Sequence, residues 1–174
     1  SVILQHFKSA MNRFKEHWEI QYNWQLIFPL IGILGLGYSS YKLAVVLFGE
    51  FGDIATIITS IILFIALLIV TLKLFKFLEK RWKLQYKWEM IRVFIVFAVT
   101  GSSSLYVGRP IIEALGITKE NLNPILYWIL FSIIGLIFYQ ILLVTFGWLF
   151  GQFQFFWEFE KKMLKRFGLK RFVD

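Results

Sequence analysis

The chain has 174 residues, of which 58% are hydrophobic and only 17% charged, with 20 Phe, 7 Tyr, 7 Trp and no cysteine. A soluble domain carries about 25% charged residues and cannot hide this much apolar surface, and a disordered chain is poor in hydrophobics, so both classes are excluded. What remains is an integral membrane protein with room for about four spans of about 20 residues, without disulfides or thiolate metal sites, and with a net charge of +8 whose meaning depends on where the spans lie.

The first element is an amphipathic helix. Leu4, Phe7, Met11, Phe14 and Trp18 form one apolar stripe at helical spacing, with Lys8, Arg13 and Lys15 elsewhere on the surface. Such a helix fits the surface of a membrane leaflet or a docking face for a partner. His6 and His17 lie in this segment without a third ligand nearby, so no metal site is predicted.

Four apolar runs follow, at about 24–41, 54–74, 88–106 and 125–150. Each is long enough to cross about 30 Å of hydrocarbon as a helix. They are apolar on every face and show no strict alternation, which argues against a soluble bundle and a β-barrel. The first run starts too late and lacks the cleavage pattern of a signal peptide. Residues 42–53 and 107–123 are the expected connections on one side. On the other side stand Lys8, Arg13 and Lys15, then Lys73, Lys76, Lys80, Arg81, Lys83, Lys87 and Arg92, then Lys161, Lys162, Lys165, Arg166, Lys170 and Arg171: 16 cations against Lys42, Arg109 and Lys119. The positive-inside rule then places both termini in the cytoplasm of a bacterial inner membrane. The basic excess reads as a collar on anionic headgroups, not as a nucleic-acid surface.

An internal duplication is also expected. His17-Trp18-Glu19-Ile20-Gln21-Tyr22-Asn23-Trp24 matches Arg81-Trp82-Lys83-Leu84-Gln85-Tyr86-Lys87-Trp88 at an offset of 64, and Gly37, Ser39 and Ser40 pair with Gly101, Ser103 and Ser104. The predicted fold is therefore an all-α membrane protein built as two parallel two-span repeats, residues 1–80 and 81–174. Short interfacial helices are expected at the outer turns, with amphipathic helices at both cytoplasmic ends. The last helix carries a stripe of Phe156, Phe159, Met163 and Phe167. An even number of spans per repeat requires equal orientation, related by an axis along the membrane normal.

No nucleophile–base pair stands out, so no catalytic residue is assigned. The strongest binding candidates are the two outer groups Ser39, Ser40, Tyr41, Lys42 and Ser103, Ser104, Tyr106, Arg109. A cation with hydroxyls around it suits a phosphate or carboxylate. The alternative is that the cations snorkel to headgroups and the serines bond back to their own helix. Pro110 suits a helix start, which would set Arg109 just before a helix N-terminus. Gly35, Gly147 and Gly151 offer close helix approach, and Gln140 suits a hydrogen bond between helices.

Thr100-Gly101-Ser102-Ser103-Ser104-Leu105-Tyr106-Val107-Gly108-Arg109-Pro110-Ile111, then Gly116-Ile117, and Phe150-Gly151-Gln152-Phe153-Gln154-Phe155-Phe156 carry a resemblance. Residues 82–168 resemble an uncharacterised family of small two-span bacterial inner-membrane proteins, some of them labelled diacylglyceryl transferases. The first half departs from the pattern, with Lys42 in place of Arg and no Gly-Gln-Phe element. The resemblance therefore points to the second half as keeper of any site. The spans hold no histidine for transferase chemistry. The function expected is a non-catalytic subunit or scaffold of a larger membrane complex. The alternative is a protein that binds, flips or modifies a phospholipid or lipoprotein at the outer site. Expected partners are membrane lipids and protein subunits or a second copy of the chain. No cofactor is called for, and a bound phospholipid is compatible with the sequence.

Overall fold

The structure is a computed structural model that describes residues 2–169. Its regular elements are helical, and no strand occurs among the described residues. The helices are α1 (Val2–His17), α2 (Ile27–Phe48), α3 (Asp53–Glu79), α4 (Trp88–Ala114), α5 (Pro124–Leu149) and α6 (Phe153–Arg166). α2 with the short 3₁₀ turns at its two ends, and α3, α4 and α5, form four helices long and apolar enough to cross a membrane. The class this defines is an all-helical, multi-pass membrane protein. Lys170 and Arg171 of the basic collar lie outside the described residues.

The spans run further than the apolar runs suggest. α2 continues through Lys42 to Phe48, and α4 continues through Arg109 and Pro110 to Ala114. The expectation that Pro110 opens a new segment, with Arg109 poised before its N-terminus, is therefore incorrect, and neither turn holds a separate interfacial α-helix. Ending a helix in hydrocarbon strands backbone groups without partners, so extending it past a proline costs less than stopping. Both cations instead lie within the helices, more than one turn before their C-terminal ends.

The chain divides into two compact units, residues 1–92 and 93–174. In the first, α2 and α3 form a hairpin that turns at Gly52. Gly52 has φ 95° and ψ 169°, a conformation essentially reserved for glycine. The Thr56 hydroxyl donates to the Gly52 carbonyl at 3.0 Å and is buried there. α1 ends in a left-handed residue, Glu19 at φ 55°, with the Ile20 N–H donating to the Lys15 carbonyl at 2.9 Å. This is the 6→1 closure usually built on glycine. Trp18 packs edge-on against Phe75, whereas Leu4 and Phe7 near the other end of α1 are exposed.

The two copies of the aromatic lead-in adopt one local design. Gln25 accepts from the Gln21 and Tyr22 N–H groups at 2.8 and 3.0 Å. Glu89 accepts from the Gln85 and Tyr86 N–H groups at 2.9 and 3.3 Å. Each long side chain thus folds back over the start of its own helical segment and satisfies donors that a helix leaves open. The two lead-ins also meet: Trp88 N–H donates to the Trp18 carbonyl at 3.0 Å, and Lys87 N–H to the Glu19 carboxylate at 3.0 Å. Trp24, Phe28 and Trp88 cluster, and the Arg92 guanidinium lies 4.5 Å from the Trp88 ring centroid while pairing with Glu89 at 3.2 Å.

In the second unit, α5 ends at a left-handed Gly151 (φ 72°), where the Gln152 N–H donates to the Gly147 carbonyl at 2.7 Å. The chain then folds back, and α6 packs on α5. Phe156 is fully buried against Gly147, where a Cβ would stand 2.5 Å from its ring. Two turns earlier on α5, Gln140 meets Glu160 and Met163 of α6. Phe97 of α4 adds edge-to-face contacts to Phe156 and Phe159. The Phe156, Phe159 and Met163 part of the stripe thus faces the rest of the unit while Phe167 is exposed, and Phe153 and Trp157 stack on the exposed side with Lys161 beside Trp157.

Candidate functional site

The second unit carries an open cleft of about 510 Å³ where α4 connects to α5. Its construction follows from local sequence. α4 closes on a left-handed Gly116 (φ 72°), with the Ile117 N–H donating to the Ile112 carbonyl at 3.1 Å. Asn123 caps α5, accepting from the Ile125 N–H at 2.9 Å, and Pro124 holds the first helical position. These two devices fix a short connection between the helices. They set Arg109, Ile112 and Glu113 of α4 beside Thr118, Lys119 and Glu120 of the connection and Tyr127, Trp128 and Phe131 of α5.

The charges of this cleft are uncommitted. Among the described residues, Arg109, Glu113 and Glu120 make no ion pair and no side-chain hydrogen bond. Arg109 and Glu113 are four apart, but with the cation N-terminal to the acid, the weaker order on a helix. Lys119 lies over Tyr127 and Trp128, 5.7 and 5.2 Å from their centroids. The Thr118 hydroxyl oxygen is shielded and has no hydrogen-bond partner.

The remaining predicted residues are placed differently. Ser40 donates to the Leu36 carbonyl at 2.7 Å and Ser104 to the Gly101 carbonyl at 2.9 Å, so both hydroxyls serve their own helix. Ser39, Tyr41 and Tyr106 are exposed, and Ser103 is half-buried. Lys42 lies 5.8 Å from the centroid of Tyr38, one turn back on α2. It belongs to the first unit and Arg109 to the second. Of the packing candidates, Gly147 receives Phe156 and Gln140 bridges to α6, whereas Gly151 serves the turn. Beyond its own helix backbone, nothing lies within 4 Å of where a Gly35 Cβ would stand, whereas a Cβ on Gly32 would meet Ile91 at 3.4 Å.

Two features were missed from sequence. One is the Lys119-Thr118 side of the cleft, whose signal was a cation shortly before a Tyr-Trp pair. The other is Glu160, 4% exposed. The Gln140 amide lies against the Glu160 carboxyl. Burial pushes this carboxyl up to about 7. No group of three or more His, Cys, Asp or Glu side chains that could hold a metal ion occurs among the described residues.

Residues 92–171 match the model of a family of unknown function (DUF6787). The matched stretch runs from the start of α4 through α6 and so takes in the cleft and the α5–α6 contact. No curated protein and no solved structure matches the chain.

Proposed function

We propose that the chain is a lipid-handling protein of the bacterial inner membrane that holds a phospholipid headgroup in the α4–α5 cleft. The charge bias of the connections supports an outward-facing cleft with both termini in the cytoplasm. The observation that carries the reading is the cleft itself: an uncommitted Arg109, two uncommitted carboxylates and a Lys119 held over an aromatic wall, within the size range of small-ligand sites. The proposed act is binding, with Arg109 as the phosphate partner and Tyr127, Trp128 and Phe131 against the apolar start of the lipid. We read the chain further as two parallel two-span repeats. The matching Gln25 and Glu89 brackets, 64 residues apart, support that arrangement.

A second reading is a non-catalytic subunit or scaffold of a larger complex. It is favoured by α3, in which Ile54, Ile58, Ile61, Ile65 and Ile69 line an exposed face and only Thr56 is buried. Native mass spectrometry after mild extraction separates the two. Retained phospholipid on a lone chain, reduced about tenfold by Arg109→Ala, is the expected result. Stoichiometric protein partners without lipid would favour the scaffold instead.

A further inference from the structure

The chemical balance of the cleft specifies its ligand more closely, on the reading that it holds a lipid headgroup. Two cations, Arg109 and Lys119, and two carboxylates, Glu113 and Glu120, line one concavity. A purely anionic headgroup would satisfy the cations but bring its charge toward two carboxylates. A headgroup bearing both charges satisfies each set. We propose that the cleft selects a zwitterionic headgroup with a primary ammonium, the phosphoethanolamine type. Its phosphate meets the Arg109 guanidinium, and its ammonium donates hydrogen bonds to Glu113 and Glu120.

The aromatic wall sharpens the choice among zwitterions. A quaternary ammonium cannot donate hydrogen bonds and is recognised by open aromatic faces. Here the faces of Tyr127 and Trp128 are already covered by the Lys119 ammonium, at 5.7 and 5.2 Å. A choline-type headgroup would have to displace that cation. A primary ammonium needs only the carboxylates, and these are free of other ion pairs among the described residues.

The test is a native mass-spectrometric titration of the full chain in mild detergent with phosphatidylethanolamine, phosphatidylglycerol and phosphatidylcholine of equal acyl composition. The expected order is ethanolamine first, by about fivefold over each of the others. The double variant Glu113→Gln with Glu120→Gln should abolish or invert the preference over phosphatidylglycerol. Lys119→Gln, which uncovers the rings, should raise phosphatidylcholine binding relative to phosphatidylethanolamine. The wild-type ranking and Lys119→Gln keep the proposal exposed even when the double variant does not fold. Lipid retention without preference, or with phosphatidylglycerol favoured, overturns the headgroup assignment and leaves the lipid reading standing. Retention of no lipid overturns the lipid reading itself. Soluble phosphoethanolamine that binds as tightly as the lipid would show a free amino-phosphate as the ligand, and so overturn the lipid source.

Discussion

The two helix hairpins meet through different chemistry. α2 and α3 turn at Gly52 and bury small groups: Ser40 and Ala44 on one helix, Thr56 on the other. The Ser40 hydroxyl bonds to its own helix, the Thr56 hydroxyl to the Gly52 carbonyl and, at 3.4 Å, to the Phe48 carbonyl at the end of α2, and most of the large side chains stay exposed. α5 and α6 turn at Gly151 and interlock through a notch, a ring and a polar pair: Gly147 with Phe156, Gln140 with Glu160. The first contact resembles the small-residue packing of helices immersed in lipid, where close approach replaces a hydrophobic drive. The second resembles the core of a folded domain, with a fully buried aromatic and a buried acid that carries a defined partner. The difference is that α2 and α3 approach through small groups, whereas α5 and α6 are keyed by particular side chains.

The largest expected effect breaks that contrast at its notch. Gly147→Leu should displace Phe156 and cost about 1–3 kcal/mol or more, because a well-packed contact cannot take added volume. Gly35→Leu on α2 meets open space and should change stability by no more than about 0.5 kcal/mol. Thermal unfolding of both variants in one detergent checks the pair. Equal melting temperatures would show that α6 is not anchored at Gly147.

A smaller effect concerns pH. Burial raises the Glu160 carboxyl from 4.5 to about 7, so the docked helix favours the protonated acid. Docking is then at full strength below the ordinary value of 4.5, weakens as pH rises toward about 7, and stays weaker above it. Glu160→Gln should remove the dependence. The cysteine-free chain permits spin labels at Leu136→Cys and Glu158→Cys, and the α5–α6 distance distribution should broaden between pH 5 and pH 8 in the wild type alone. Identical distributions at both pH values in the wild type would show that Glu160 does not titrate with docking.

The smallest effect tests the matched brackets. Gln25→Ala and Glu89→Ala each leave two backbone N–H groups without their side-chain acceptor. Gln25→Ala should cost about 1 kcal/mol, as the loss of a helix cap does, and Glu89→Ala more, because it also leaves the buried Arg92 without its carboxylate. Glu89→Gln should keep the bonds to the two N–H groups, as Gln25 makes them, but lose the charge that pairs with Arg92. Thermal denaturation is again the measurement. A large loss at one site and none at the other would mean that the brackets are not equivalent.

The sequence by itself determined the spans, because an apolar run of more than about 20 residues has few other ways to satisfy its backbone. It misplaced the ends of α2 and α4, because Pro110 reads as a helix start by local preference while lipid rewards an unbroken helix. Only the tertiary structure decided that the stripe of α6 faces α5. An amphipathic stripe has the same period whether it lies on a leaflet or on a neighbouring helix, and the notch at Gly147 makes the neighbour available. Only the tertiary structure assembled the cleft. Arg109, Thr118 and Trp128 share no spacing that periodicity detects, and they converge because a left-handed glycine and a capped proline fold the connection between α4 and α5.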